Sequence, residues 1–276
     1  MERFLTDFQE KLAWFRKNPV TDWHEHGAIG AVKPGETLGM IDDLIRGMDD
    51  CGIDRTAISR PVTGGAHETP ETIAAANDYV GRAVEKYPDR LRGLAYVDPV
   101  HGRYAVEEID RCRRAWGAVG VKLYNQYTMD DDMQDPIIEY CIEHDMFILM
   151  HAGRMTRFPN DQPGLSDSAH MARAAKKYPE AVLQMAHITG GGDWNWQLRG
   201  LEDCPNVYVD ISGSVRDAGV LEALVAAVGA ERVLFGTDYS FSTAIARLLG
   251  ARISDADKLT IMDNPAYRRF WERGTR

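Results

Sequence analysis

From Val20 onward the chain alternates short Val/Ile/Leu-rich runs with amphipathic segments, and it does so eight times. The runs are Val20 to His26, Ile53 to Ser59, Leu91 to Val97, Val119 to Tyr124, Met146 to His151, Ala181 to His187, Val207 to Ile211 and Val233 to Asp238. Most are apolar on both faces, as strands are in a parallel sheet covered by helices. Helices are predicted between them at 38–50, 71–86, 104–116, 135–144, 168–177, 194–201 and 220–228. Eight strand–helix units in about 250 residues are what a (β/α)8 barrel requires. A doubly wound open sheet is the alternative. It carries a Gly-rich phosphate turn after its first strand, and no G-x-G-x-x-G follows His26. The expected fold is α/β, a TIM-like (β/α)8 barrel. One domain is expected over 1–276, with a helical extension at 1–19 and closing helices at 254–276.

In such a barrel, functional side chains sit at the C-terminal ends of the strands. The first strand ends in His24-Glu25-His26, the fifth in His151, the sixth in His187 and the eighth in Asp238. Alternation along a strand puts His24 and His26 on one side and Glu25 on the other. A polar side chain ending an apolar strand is costly unless paired or ligated. Four of the eight histidines and one aspartate at one rim therefore point to a metal centre. Its donors are nitrogen and oxygen, with no thiolate. That suits Zn²⁺ first, and also Mn²⁺, Fe²⁺ or Ni²⁺. Such an ion lowers the pKa of bound water and polarises a carbonyl. Asp238 is placed to move a proton, and His187 either to complete the metal shell or to hold and protonate substrate.

The formal net charge of -10 argues against a nucleic-acid or anionic-membrane partner. No apolar run is long enough to span a bilayer, and the first residues carry no signal-peptide core. Cys51, Cys112, Cys141 and Cys204 are widely spaced and read as reduced thiols. A cytoplasmic enzyme with a small-molecule substrate is expected, as a homodimer or higher homo-oligomer where it assembles.

Several segments, in this order, resemble the amidohydrolase superfamily, in particular the branch that includes the aromatic-acid decarboxylases. They are Asp22-Trp23-His24-Glu25-His26, Asn77-Asp78-Tyr79-Val80 through Tyr87-Pro88-Asp89-Arg90-Leu91-Arg92-Gly93, and Gly120-Val121-Lys122-Leu123. Met150-His151-Ala152-Gly153, Ala186-His187, Leu234-Phe235-Gly236-Thr237-Asp238-Tyr239 and Asn264-Pro265-Ala266-Tyr267-Arg268-Arg269-Phe270 follow, although Pro265 departs from the usual residue. The resemblance implies a distorted barrel of the metal-dependent hydrolase type. It implies metal ligation by His24, His26, His151 and Asp238, with His187 beside the reacting water. It also implies a role for Lys122. In hydrolytic members a lysine ending strand 4 can be carbamylated and bridge two metals, with the strand 5 and strand 6 histidines on the second ion. Uncarbamylated, Lys122 is a cation at the pocket floor. Its presence tilts the expectation to a hydrolase attacking an amide, ester or lactone carbonyl. The alternative is a non-oxidative decarboxylase of an aromatic or unsaturated carboxylic acid. One ion is expected for a free Lys122 and two for a carbamate.

Around this centre, Tyr124, Tyr239 and Trp194 are candidates for an apolar pocket. Arg154, with Arg157, is a candidate clamp for a substrate carboxylate. His67 and His101 fall on the functional face. Asp210 is expected to support a ligand rather than to be one. His144 and His170 lie in predicted helices, away from the rim.

Overall fold

The structure, a computed structural model, describes residues 2–62, 65–153, 164–188, 194–213, 215 and 217–273. Eight parallel strands form one sheet in sequential order: β1 (Thr21–His26), β2 (Arg55–Ser59), β3 (Leu91–Tyr96), β4 (Gly120–Leu123), β5 (Phe147–Met150), β6 (Val182–Met185), β7 (Val207–Asp210) and β8 (Val233–Leu234). Helices lie between them: α1 (Glu2–Arg16) before the first strand, then α2 (Gly39–Cys51), α3 (Pro70–Lys86), α4 (Arg103–Trp116), α5 (Asp135–Glu143), α6 (Ser168–Lys177), α7 (Trp194–Gln197) and α8 (Val220–Val228). After β8 come α9 (Phe241–Gly250), α10 (Asp255–Met262) and α11 (Arg268–Arg273). This is a TIM barrel, as expected from the eightfold rhythm.

The core has two layers. Strand residues such as Val121, Ile148 and Val209 pack outward against the helices. Trp23, Ala57, Leu94, Phe147, Leu149 and Leu234 fill the barrel interior. Tyr267, Phe270 and Trp271 join that inner cluster and plug the barrel from the closing segment. Arg92 on β3 ties this plug in place. Its guanidinium lies 4.2 Å from the Trp271 ring, and its Nε donates to the Trp271 carbonyl at 2.8 Å.

Two departures from simple strands shape the functional rim. The β1–β2 register slips between Asp22 and Glu25, so that two residues oppose one. Strict alternation would send Trp23 and His24 to opposite faces. The slip lets Trp23 enter the inner core while His24 also faces the barrel axis. At the other seam β8 is short, ending at Leu234 rather than at the expected Asp238. The residues after it bond to β1 instead. Trp23 N–H donates to the Phe235 carbonyl at 2.9 Å, and Asp238 N–H to the His24 carbonyl at 2.8 Å. These bonds close the barrel.

Candidate metal centre

His24 and His26 converge on Asp238, with Asp238 Oδ1 3.8 Å from His24 Nε2 and 3.2 Å from His26 Nε2. One donor atom from each residue lies within 4.8 Å of the others. The far nitrogen of each ring is held. Asp210 Oδ2 lies 3.0 Å from His24 Nδ1, and a carboxylate can only accept, so Nδ1 carries a hydrogen and Nε2 is the nitrogen turned towards Asp238. Ser59 Oγ holds His26 Nδ1 at 2.8 Å. Burial lowers the pKa of His26 to about 3, so this imidazole is neutral at pH 7. Burial opposes ionisation of Asp238, yet His24, His26 and His187 outweigh it and hold the carboxyl well below the usual range. Two imidazoles whose far nitrogens are held by hydrogen bonds, with an ionised carboxylate between them, fit a divalent cation.

The backbone beneath the centre is strained. His187 (φ 73°), Ile188 (φ 41°), Asp238 (φ 44°) and Tyr239 (φ 69°) are left-handed without being glycine. Such conformations persist only where the surroundings over-determine them, and they gather at functional sites. Asp210 holds the first pair: its Oδ1 accepts from His187 N at 3.1 Å and its carbonyl from Ile188 N at 2.8 Å. Asp22 and Glu25 hold the second. Glu25 Oε2 accepts from Tyr239 N at 2.9 Å, and Asp22 Oδ1 from Thr237 N at 3.2 Å. Thr237 Oγ1 lies 2.5 Å from both Asp22 Oδ2 and Glu25 Oε2. One hydroxyl has one hydrogen, so one carboxyl is itself protonated and donates to Thr237. Burial, then the charge of Glu25, raises Asp22 well above its ordinary range, and burial likewise raises Glu25. The side chain of Glu25, on the far side of the H-x-H, thus secures the turn that carries Asp238.

His151 and His187 form a second group. His151 Nδ1 faces His187 Nε2 at 2.9 Å, and His187 Nδ1 lies 3.3 Å from Asp238 Oδ2 and 3.1 Å from Ser212 Oγ. Burial lowers His187 to about 4 and His151 well below its ordinary value. Among the described residues the compact cluster is His24, His26 and Asp238. His151, expected as a fourth ligand, stands outside that cluster and among the described hydrogen bonds is linked towards Asp238 through His187. Both histidines follow their strands rather than ending them, because the strands stop at Met150 and Met185. Lys122 is fully buried, with Nζ 3.3 Å from His24 Nε2. Burial lowers its amine to about 8, against the pull of Asp238.

Of the expected pocket residues, Tyr124 stacks on His151 (4.1 Å, 9° between planes) and Tyr239 leans on His26 at 5.4 Å. Trp194 instead donates its indole N–H to Asp217 at 2.6 Å and packs on the outer core. Arg154 and Arg157 lie outside the described residues. His67 Nδ1 pairs with the buried Asp98 at 2.8 Å, and His101 Nε2 with the Glu68 carbonyl at 2.6 Å. His144 caps α5, and His170 closes a capping box with Asp167 at the start of α6. Sequence reasoning missed Ser59, Ser212 and Thr237. Asp22 carried a usable signal, two residues before His24. Among the described residues no helix is long and apolar enough to cross a membrane.

A gamma-resorcylate decarboxylase from Polaromonas sp. (strain JS666 / ATCC BAA-500) is 24% identical, over 88% of this chain and 89% of that protein. A crystal structure of 2,6-dihydroxybenzoate decarboxylase complexed with 2,6-dihydroxybenzoate superposes with a TM-score of 0.71 at 19% identity, covering 92% of this chain and 99% of the other. A dihydroxybenzoic acid decarboxylase from Polaromonas sp. JS666, with bound manganese and the inhibitor 2-nitroresorcinol, superposes at 0.68 and 22% identity, covering 92% and 97%. These relatives correct the expectation of a hydrolase, which rested on Lys122: these proteins, matched over 89–99% of their own length, are decarboxylases. A rim of histidines and one aspartate holds a cation for either chemistry, so it could not separate them. The preference for zinc has no support in them either, since the ion named is manganese. The sequence pattern of the amidohydrolase family matches residues 21–255, so the chain belongs to the amidohydrolase family.

Proposed function

We propose that this protein is a metal-dependent non-oxidative decarboxylase of a hydroxylated aromatic carboxylic acid. The observation that carries the reading is the His24–His26–Asp238 cluster, found in a chain similar over most of its length to a gamma-resorcylate decarboxylase and a 2,6-dihydroxybenzoate decarboxylase. His24, His26 and Asp238 hold one divalent ion, and manganese is the first to test because a relative contains it. That ion supplies positive charge for a carboxylate and a neighbouring phenolic oxygen.

The chain's own residues do the rest. Tyr124, stacked on His151, and Tyr239, which is 49% exposed beside His26, offer aromatic faces to a planar ring. Lys122, mainly an ammonium at pH 7, holds an anionic oxygen of the substrate. In the reaction the ring–carboxylate bond breaks, CO2 leaves and its bonding electrons stay on the ring carbon, which takes up a proton. Asp238 and His187, 3.3 Å apart, are the proton carriers. Asp238 is ionised at rest, so it first accepts a proton from the substrate's phenol or from water and then gives it to the ring carbon.

The test is a panel of ortho-hydroxylated benzoic acids, beginning with 2,6-dihydroxybenzoate, incubated with the manganese-loaded protein. Carbon dioxide and the decarboxylated phenol should appear together. His24→Ala and Asp238→Asn should each abolish turnover while the circular dichroism spectrum stays native. Metal analysis should find one ion per chain. No CO2 release across the panel, or near-wild-type turnover by either variant, sinks the reading.

A further inference from the structure

Arg247 lies on α9 and touches none of His24, His26 or Asp238 through its described hydrogen bonds. All of those bonds go to main-chain carbonyls of one short stretch directly after β7. Nη1 donates to the carbonyls of Ile211 and, at 3.1 Å, Ser212. Nη2 donates to those of Gly213, at 3.0 Å, and Val215. Among the described residues it makes no ion pair. Arg247 is half-buried, and a partly desolvated cation is retained where its hydrogen bonds are met. The planar fork of a guanidinium meets four carbonyls spread over five residues, which a point-like ammonium cannot do.

This stretch is the scaffold behind the metal centre. Asp210, at its start, holds His24 Nδ1 at 3.0 Å. Ser212 Oγ lies 3.1 Å from His187 Nδ1 and 3.3 Å from His24 Nδ1. Gly213 (φ 89°) backs directly onto His187, where a Cβ would come within 2.7 Å of the His187 Cβ. A shift of this backbone would therefore move the partners of both rings at once.

We propose that Arg247 is a positioning residue for the metal centre: by fastening the carbonyls of Ile211, Ser212, Gly213 and Val215 it fixes Asp210 and Ser212, and through them the rings of His24 and His187. The inference rests on the reading of His24 as a metal ligand. It reaches further, because it makes the affinity of the centre depend on a guanidinium on a different helix.

The surroundings supply a direct test. Arg247 lines an open cavity of about 540 Å³ between α9 and the start of α8, shared with Asp217, Ser242, Thr243 and Arg252. Truncation to alanine extends this cavity to the freed carbonyls, so a small guanidinium can enter from solvent. Wild type, Arg247→Ala, Arg247→Lys and Arg252→Gln are compared by Mn²⁺ titration of the metal-free proteins and by kcat and KM of the loaded ones. Arg247→Ala should bind Mn²⁺ about 10–100-fold more weakly, the range for loss of a group that orients a ligand, and lose kcat with little change in KM. Millimolar ethylguanidinium should restore Mn²⁺ affinity, and ethylammonium should not. Arg247→Lys should stay defective, and it carries the same measurements if the alanine variant does not fold. Arg252→Gln, which lines the same cavity and removes a partner of Glu222, should match wild type. Wild-type Mn²⁺ affinity in Arg247→Ala or Arg247→Lys overturns the proposal, as does equal rescue by the ammonium. A wild type that binds no Mn²⁺ overturns the reading of the centre itself, and this inference with it.

Discussion

Asp210 shows how much of the proposed metal centre lies behind its candidate ligands. One carboxylate oxygen takes the His24 Nδ1 hydrogen at 3.0 Å and a Gln184 amide hydrogen at 2.9 Å. The other accepts from His187 N and Ser212 N, each at 3.1 Å. Space around it is closed: a Cβ on Gly236 would sit 3.0 Å from the Asp210 Cβ and 3.1 Å from the His24 Cβ, so only glycine lets the two strands approach this closely. Replacing Asp210 by asparagine keeps the shape but removes the charge and one acceptor. Asp210→Asn is expected to weaken Mn²⁺ binding by about 10–100-fold, measured by titration of the metal-free protein. Unchanged affinity would mean that His24 needs no fixed tautomer. His24, His26, His151, His187 and Asp238 were legible in the sequence because each stands at the end of an apolar run. Ser212 and Thr237 were not, because a serine or threonine in a loop says nothing of its neighbour until the chain is folded.

At the scale of elements, the helices followed the hydrophobic period closely and the strands less so. α6 and α8 run over the predicted spans, 168–177 and 220–228. β5, β6 and β8 stop short of the predicted histidines and aspartate. After β6 and β8 composition gave no warning, since the chain there turns through positive φ at His187, Ile188, Asp238 and Tyr239, held by contacts from Asp210, Asp22 and Glu25. α6 carries a local device that can be tested alone. Asp167 caps it, accepting from Ala169 N at 3.0 Å and His170 N at 3.2 Å, and pairing with His170 Nδ1 at 2.7 Å. The His170 hydrogen bond, acting against burial, lowers the Asp167 carboxyl to about 2. A depressed carboxylate stabilises above its unfolded value, about 3.9, and that contribution is lost as pH falls through about 2. Asp167→Ala should therefore cost about 1 kcal/mol at pH 7. The gap to wild type in urea midpoint should narrow as pH is lowered from 5 towards 3. A gap constant over that range would show that the carboxylate charge is not what caps the helix.

The whole molecule is a barrel closed at both ends of one seam and plugged from one side. Seven of the eight neighbouring strand pairs form parallel ladders, β1–β2 with its slip between Asp22 and Glu25. The β8–β1 seam instead depends on single backbone bonds and on the Asp22–Thr237–Glu25 clasp. Beneath, Trp271 fills the interior against Trp23, 6.4 Å between rings, under the Arg92 guanidinium. Trp271→Ala should cost about 3–5 kcal/mol and lower Tm by about 10 °C for a chain of this size, with Mn²⁺ affinity below the transition unchanged. An equal loss of Mn²⁺ affinity would show that plug and rim are coupled. By itself the sequence determined the eightfold alternation, hence the barrel, and which histidines and aspartate would reach its rim, because hydrophobic period and strand ends are local properties. Only the tertiary structure decided which of them meet: His24, His26 and Asp238 as one cluster, His151 one step removed. It also decided which buried carboxylates and which guanidinium hold them there. Those contacts join residues as far apart as Asp22 and Thr237, and no local pattern encodes a distance between two ends of a chain that meet only when the barrel closes.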